Sequence, residues 1–223
     1  MPYIFTQEQQ KLIDTTSVFV RTTLTSAEGG HDWFHTQRVY KNALHIAQGE
    51  SVHVLTVALG ALLHDIADSK FHNGDESVGP KLANDFLSGK NVDAEVIHHV
   101  IKIIENISFK GGNREKTFDS QELQVVQDAD RLDALGAIGI ARAFNYGGYK
   151  NRKLYDPDIK PDLNMSPETY KKSTAPTINH FYEKLLMLKD RMNTKTGRKL
   201  AEIRHDYMVG FLKRFYEEWE GVD

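Results

Sequence analysis

The chain has 223 residues, no cysteine and a formal net charge of −3. Without cysteine it cannot form disulfide bonds or thiolate metal sites. Its slightly acidic net charge disfavours the basic surface that is typical of nucleic-acid binding. No apolar stretch approaches the ~20 residues that span a bilayer, and Met1–Gln10 lacks the features of a secretory signal. These observations predict a cytoplasmic globular protein with neither a membrane nor a nucleic-acid partner.

Hydrophobic periodicity predicts helices throughout the chain and therefore an all-α fold. Thr6 and Gln9 match a capping box at the start of the first helix. The second helix starts near Asp32, and Val39 marks its inner face. His35 precedes Val39 by four positions, so the spacing places His35 on that same inner face.

The middle of the chain continues this helical pattern. The third helix, roughly 52–68, is apolar nearly all round and should therefore be central in the fold. Pro80 suits the first turn of a short fourth helix, and apolar spacing over 96–104 defines a fifth. A sixth helix carries Asp130 one step from its apolar stripe. A further helical run extends to about Asn145.

Residues 146–176 form the clearest irregular stretch, because four of the six prolines and a Gly-Gly pair lie there. We interpret this stretch as a long ordered loop or lid and not as a flexible linker. Loops of such length are usually either functional or disordered. Two helices close the chain. The last of them carries apolar residues at helical spacing, namely Leu200, Ile203, Tyr207, Phe211, Phe215 and Trp219.

The strongest local signal for chemistry is the pair His64-Asp65 near the end of the apolar third helix. An unpaired carboxylate buried in such a place costs several kcal/mol. A divalent cation would compensate both residues, because imidazole nitrogen and carboxylate oxygen coordinate such ions. The alternative is a histidine at the helix end beside a solvated aspartate.

Two further residues strengthen the metal interpretation. His35 is on the inner face of its helix, and Asp130 lies in the acidic run Asp128–Asp133. Each has an ordinary alternative explanation, a core histidine in the first case and helix capping in the second. Together with the His64-Asp65 pair they form a mixed nitrogen and oxygen set that leaves coordination positions open for water and substrate.

The order of these residues resembles the H…HD…D signature of the HD-domain superfamily. The matching segments are His35–Val39, His64-Asp65 and Asp128–Asp133. Flanking segments resemble the small bacterial HD hydrolases of the YedJ/YpgQ type over nearly the whole chain; they are His31–His35, Leu62–Asp68, Ile107–Gly112, Ala134–Arg142, Met192–Thr194 and Phe215–Trp219. The resemblance implies an all-α HD helical bundle, a bound divalent metal, and hydrolysis of phosphate esters or anhydrides, with nucleotides as the expected substrates.

The resemblance also assigns roles to individual residues. The metal ligands would be His35, His64, Asp65 and Asp130. Asp68, three positions beyond the HD aspartate, would orient or deprotonate the attacking water, which the metal binds. The chain would form one HD-type domain over 1–223. Its metal-binding core would span about 20–145, and the loop and helical extension would span about 146–223.

The expected cofactor is one divalent metal ion. Manganese is favoured, and magnesium, nickel, cobalt and iron are compatible with the ligand set. Superfamily members with two metals need two more histidines, well separated, before the last aspartate. His98 and His99 supply only one such position, and His72 follows His64 too closely. A mononuclear site is therefore predicted, with the role of His99 open.

Several residues are candidates for binding substrate phosphate. Lys110 stands beside a Gly-Gly turn whose amides suit an anion, and Arg142 and Lys153 flank a second Gly-Gly turn. Solvated surface cations are the alternative explanation for both. His31 would donate to a phosphate or leaving group, or support His35. Guanosine-tetraphosphate hydrolases of the superfamily carry Glu-Asp where this chain has Asp68-Ser69, which disfavours that substrate.

The substrate class leaves two hydrolytic outcomes open, namely pyrophosphate release from a nucleoside triphosphate and orthophosphate release by a nucleotidase. Two other functions compete with hydrolysis. One is a di-iron oxygenase on the same scaffold, and the other is a catalytically idle, metal-stabilised module that senses nucleotides. The amphipathic C-terminal helix also allows a homodimer, which sequence alone does not decide.

Overall fold

The computed structural model describes residues 4–26, 32–67, 75–107 and 118–222. Within these ranges every regular element is helical, which confirms the all-α prediction. None of the helices described combines the length and apolarity needed to cross a bilayer. The α-helices are α1 (Gln7–Thr23), α2 (Trp33–Ala47), α3 (Val54–Leu63), α4 (Val78–Ser88), α5 (Ala94–Asn106), α6 (Gln121–Asp133), α7 (Gly136–Tyr149), α8 (Pro167–Lys172), α9 (Thr177–Glu183) and α10 (Lys195–Glu220). Leu24–Ser26 and Leu185–Arg191 are 3₁₀ helices.

The chain divides into two compact units. The first comprises Met1–Asp130 and Asn193–Thr196, and the second comprises Arg131–Met192 and Gly197–Asp223. Helices α1 to α5 and most of α6 lie in the first unit, while α7 to α9 and most of α10 lie in the second. That the whole chain forms a single HD-type domain stays a prediction.

Helix α3 is the centre of the first unit, as its composition predicts. Nine of its ten residues are buried, and it packs against α1, α2 and α5. Gly60 permits the close approach to α5, because a Cβ added there would stand 3.0 Å from Ile103 Cδ1. The helix is shorter than the predicted 52–68, since it ends at Leu63. The Ile66 N–H then bonds the Leu63 carbonyl in a turn that contains His64 and Asp65.

The predicted irregular stretch 146–176 is more regular than expected. Helix α7 continues through Gly147 and Gly148 to Tyr149, so the predicted helix end at about Asn145 and the predicted Gly-Gly turn after it are wrong. Gly147 lies against the Thr177 side chain, which a Cβ at that position would overlap. The stretch also contains α8, whose first turn is capped by the Ser166 side chain, with proline at the start.

Aromatic side chains pack against one another in the second unit, around the fully buried Phe181. The ring centroid of Phe181 lies 5.9 Å from the centroids of Phe144 and Phe211. Tyr155 packs edge-on against Trp219, with ring centroids 5.1 Å apart. The predicted apolar stripe of α10 is only partly buried. Ile203 and Tyr207 are 62% and 60% exposed, whereas the buried residues of the helix are Gly197, Ala201, Met208 and Leu212.

Candidate metal centre

Three residues predicted as metal ligands come together in the first unit. His35 lies in the first turn of α2, where the Asp32 carboxylate caps the helix by accepting a hydrogen bond of 2.8 Å from the His35 N–H. His64 directly follows α3, and Asp130 lies near the end of α6. One potential ligand atom from each of the three lies within 4.8 Å of the others. Three helices therefore deliver two imidazoles and a carboxylate to one point.

The spacing of these atoms fits a shared divalent ion. His35 Nε2 lies 3.5 Å from Asp130 Oδ1. Nitrogen and oxygen ligands bind first-row divalent ions at about 2.0–2.2 Å, so two ligands of one ion stand about 3 to 4.4 Å apart, depending on the angle. Imidazole combined with carboxylate suits manganese, iron, cobalt, nickel or zinc. The donor set and its dimensions therefore fit the metal that the sequence predicts.

A backbone hydrogen bond fixes the tautomer of His64. Its Nδ1 atom lies 2.8 Å from the carbonyl oxygen of Ala61. A carbonyl oxygen only accepts, so Nδ1 carries the proton and the Nε2 lone pair is left for a metal. Histidine ligands in metalloproteins commonly use their second nitrogen in this way, which orients the ring before the ion binds.

The cluster is buried on its histidine side and more open at the carboxylate. His35 is 2% exposed and His64 is 7% exposed, whereas the Asp130 side chain is 42% exposed. The two imidazole rings meet edge-on with centroids 5.4 Å apart. Access for water and a small substrate is therefore expected from the side of Asp130.

The remaining predicted residues of the metal site are placed less fully. Asp65 is half-buried and follows His64 directly, but it is not a member of the three-residue cluster. It has polar interactions of its own, so its role as a fourth ligand stays a prediction. His31, Asp68 and Lys110 lie outside the described residues.

Two predicted phosphate-binding residues lie in the second unit, and both make ion pairs. Arg142 Nη1 donates to Asp133 Oδ2 at 2.7 Å and to the Asp133 carbonyl at 3.2 Å. Lys153 Nζ donates to Asp156 Oδ2 at 2.7 Å, which raises the pKa of Lys153 and lowers the pKa of Asp156. These contacts give both cations a local structural role, and their contribution to substrate binding stays a prediction.

The role of His99, which the sequence left open, is local. Its Nε2 atom lies 2.8 Å from Ser120 Oγ, and that hydroxyl accepts a hydrogen bond from the Leu123 N–H. His99 therefore supports the start of α6, while its neighbour His98 is exposed on α5. Among the residues that the structure describes, His35, His64 and Asp130 form the only group of three or more such side chains close enough to share an ion.

Asp128 is a buried residue whose role the sequence pattern did not predict. It is fully buried, and its carboxylate accepts hydrogen bonds from the backbone N–H groups of Asn193 and Thr194. In the sequence it was only part of the acidic run around Asp130. Asp128 and Asp130 are two positions apart, and a helix turns by about 100° per residue, so their side chains face different sides of α6. This difference in direction was the available signal that Asp128 has a separate role.

Comparison with known proteins identifies relatives over nearly the full chain. The family model described as HD domain matches residues 33–135, a range that contains all four predicted metal ligands. The YpgQ protein of Bacillus subtilis is 36% identical over 217 residues, covering 97% of this chain and 98% of its own.

Solved structures give the same result. A HD-superfamily hydrolase from Bacillus thuringiensis superposes with a TM-score of 0.78 at 43% identity, covering 95% of this chain and 98% of its own. Bacillus subtilis YpgQ in complex with ADP superposes with a TM-score of 0.75 at 33% identity, covering 95% of this chain and 97% of its own.

Proposed function

The chain belongs to the HD domain family, and from that premise we propose that it is a divalent-metal-dependent phosphohydrolase acting on a nucleotide. One observation carries the proposal, namely that His35, His64 and Asp130 bring their ligand atoms within 4.8 Å of one another. The similarity to a HD-superfamily hydrolase supports hydrolysis as the type of reaction.

In the first unit, buried residues would hold the ion on one side, and a more exposed residue leaves the other side accessible. The buried His35 and His64 side chains offer nitrogen ligands, and the more exposed Asp130 side chain offers an oxygen ligand. We assign Asp65 as the fourth ligand. The chemistry that a bound divalent ion supplies is activation of water near neutral pH and neutralisation of charge on a phosphoryl oxygen.

We assign Asp68 as the group that orients the attacking water and accepts its proton. The water oxygen forms a bond to phosphorus while the bond from phosphorus to the leaving oxygen breaks. Phosphoryl transfer also needs fixed positive charge around the phosphoryl oxygens, and Lys110 is the proposed source. Arg142, Lys153 and His31 are further candidates for contacts with the substrate.

A nucleotide is the proposed substrate because a similar protein, YpgQ, has been crystallised with ADP. Attack at the α-phosphorus of a nucleoside triphosphate would release pyrophosphate, whereas attack on a monophosphate would release orthophosphate. We favour the first reaction, with manganese as the metal, from the resemblance of the sequence to the YedJ/YpgQ-type hydrolases.

A substrate panel tests this function. Metal-stripped protein is incubated with nucleoside mono-, di- and triphosphates and with manganese, magnesium, cobalt or nickel, and both orthophosphate and pyrophosphate are measured. We expect metal-dependent turnover with pyrophosphate as the product from triphosphates. His64→Ala serves as the inactive control, and His98→Ala, altered at an exposed histidine, as the active one. Nucleotide binding without turnover under every metal would instead indicate a sensing module.

A further inference from the structure

A fully buried carboxylate ties α6 to the segment that precedes α10. Asp128 is 0% exposed and belongs to the first unit, as does Asn193–Thr196. Its Oδ1 accepts from the Asn193 N–H at 2.9 Å and from Asn193 Nδ2 at 3.2 Å. Its Oδ2 accepts from the Thr194 N–H at 2.7 Å and from Thr194 Oγ1 at 2.9 Å. A buried carboxylate is stable only when its oxygens are satisfied in this way.

The same short segment is also bonded to the chain that follows α2. The Thr196 N–H donates to Glu50 Oε1 at 2.9 Å, which places a carboxylate at the start of α10. Gly49 allows this approach, because a Cβ there would overlap the Thr196 hydroxyl. Asn193–Thr196 therefore connects α6, which carries Asp130, with the chain that leaves α2, which carries His35.

Additional hydrogen bonds hold this part of α6 from other sides. Asn42 of α2 donates its Nδ2 to the Ala129 carbonyl at 3.4 Å, and Gln127 donates its Nε2 to the Asn106 carbonyl of α5 at 3.0 Å. Each of these contacts lies within three residues of Asp130. Among them, Asp128 has the only fully buried charged side chain and makes the most hydrogen bonds.

We propose that Asp128 is a positioning residue for the metal centre: its anchored carboxylate sets the rotation of α6 so that Asp130 faces His35. Residues two positions apart on a helix differ in direction by about 200° around its axis. Holding Asp128 on one side of α6 therefore directs Asp130 to the other. The proposal rests on the metal site of the proposed function. It concerns the affinity for the metal, since Asp128 itself does not belong to the ligand cluster.

Two substitutions remove the anchor to different degrees. Asp128→Asn replaces an acceptor oxygen with an amide NH₂ that faces N–H donors, so the bonds to Asn193 and Thr194 cannot all persist. Loss of groups that orient metal ligands typically lowers metal affinity 10- to 100-fold, so we expect the dissociation constant for the metal to rise at least tenfold. Thr194→Val keeps the side-chain shape but removes one donor, and we expect about a fivefold loss. Thr194→Ser retains that donor and should restore affinity.

The experiment is a calorimetric titration of Mn²⁺ into the full metal-stripped chain, without substrate. Asp133→Asn is the matched control, because it also removes a buried carboxylate from α6, one that accepts a hydrogen bond from Arg142 and not from Asn193–Thr196. Thermal unfolding of every variant shows whether general destabilisation accompanies the change in affinity. We expect Asp133→Asn to change the dissociation constant by less than about threefold at a comparable loss of melting temperature.

The outcomes separate this inference from the proposed function. Weak binding by Asp128→Asn and Thr194→Val, with near-normal binding by Thr194→Ser and Asp133→Asn, supports the positioning role. Equal affinities for wild type and Thr194→Val overturn it while leaving the metal centre intact, even if Asp128→Asn does not fold. Equal losses in Asp128→Asn and Asp133→Asn also overturn it. Wild-type protein that binds no divalent metal would overturn both this inference and the metal-dependent function.

Discussion

His35 Nε2 and Asp130 Oδ1 lie 3.5 Å apart, on helices that are distant from each other in the sequence. An N–H···O hydrogen bond is normally 2.7–3.2 Å long, so this pair is too widely spaced for a good direct bond. With His64 completing the group, a cation shared by all three residues explains the arrangement better than an ion pair between two of them.

Removal of a cluster ligand should abolish tight metal binding. His35→Ala and Asp130→Ala each remove one of the three donor atoms, and we expect the dissociation constant for Mn²⁺ to rise by at least about a hundredfold, more than for a group that only orients a ligand. Titration calorimetry on metal-stripped protein measures this directly. His98→Ala, an exposed histidine outside the cluster, should bind like the wild type. Unchanged affinity in Asp130→Ala would show that the three residues do not share an ion.

Asp65→Ala tests the fourth ligand. If the Asp65 carboxylate completes the coordination sphere, the variant should lose bound metal and turnover together. Metal content by mass spectrometry and the phosphate-release assay provide the two measurements. A variant that keeps its metal and its activity would limit the protein ligands to the cluster of His35, His64 and Asp130.

Asp68→Ala separates metal binding from proton transfer. We expect its metal content to equal that of the wild type and its kcat to fall on the order of a hundredfold, the usual scale for loss of a general acid or base. Ser69→Ala, the adjacent position, is the matched control and should remain active. Full turnover by Asp68→Ala would exclude this residue as the base.

Local features of this fold were predictable because they depend on residues near each other in the chain. The Thr6–Gln9 capping box forms as the sequence indicates, and α2 begins at Trp33, next to the predicted start near Asp32. The apolar run that becomes α3 is buried, which places His64 against the core. Local pattern therefore located α2 and α3, two of the elements that position the site.

Features that depend on distant partners were not predictable. Asp128 is bound by Asn193 and Thr194, and nothing in the acidic run indicates that a segment so far along the chain satisfies it. Ile203 and Tyr207 share a helical spacing with buried neighbours, yet they are exposed because a different face of α10 packs inward. Periodicity shows that a helix has an apolar face, but it does not determine which residues of that face become buried.

Gly49→Ala should destabilise the protein by roughly 0.5 to 1.5 kcal/mol, because the Thr196 hydroxyl must turn out of its position to make room for the added methyl group. The new Cβ would overlap the hydroxyl of Thr196, whose backbone N–H bonds Glu50. Urea unfolding measures the change in the free energy of unfolding. Gly148→Ala is the control, because a Cβ there meets nothing within 4 Å. The double variant Gly49→Ala/Thr196→Ala should recover part of the loss, and no recovery would place the strain elsewhere.

His180 should make the stability of the second unit depend on pH. Burial, with smaller contributions from Lys184 and Arg152, lowers the pKa of His180 from 6.5 to about 4. The neutral ring accepts a hydrogen bond at Nδ1 from the Tyr170 hydroxyl at 2.6 Å, and burial in turn raises the pKa of Tyr170 to about 12. A proton on Nδ1 would remove this acceptor.

The sign of the pH effect of His180 follows from its depressed pKa. Above about pH 6.5 the histidine is neutral in both the folded and the unfolded chain, so its stabilising contribution is fully present. As the pH falls from 6.5 through about 4, the unfolded chain binds a proton first and that stability is lost. We expect a loss of roughly 2 kcal/mol between about pH 7.5 and pH 5. In urea unfolding, His180→Gln should show a smaller difference between these two pH values, whereas His98→Gln, at an exposed histidine, should match the wild type. The same pH dependence in His180→Gln and wild type would show that the buried imidazole is not responsible.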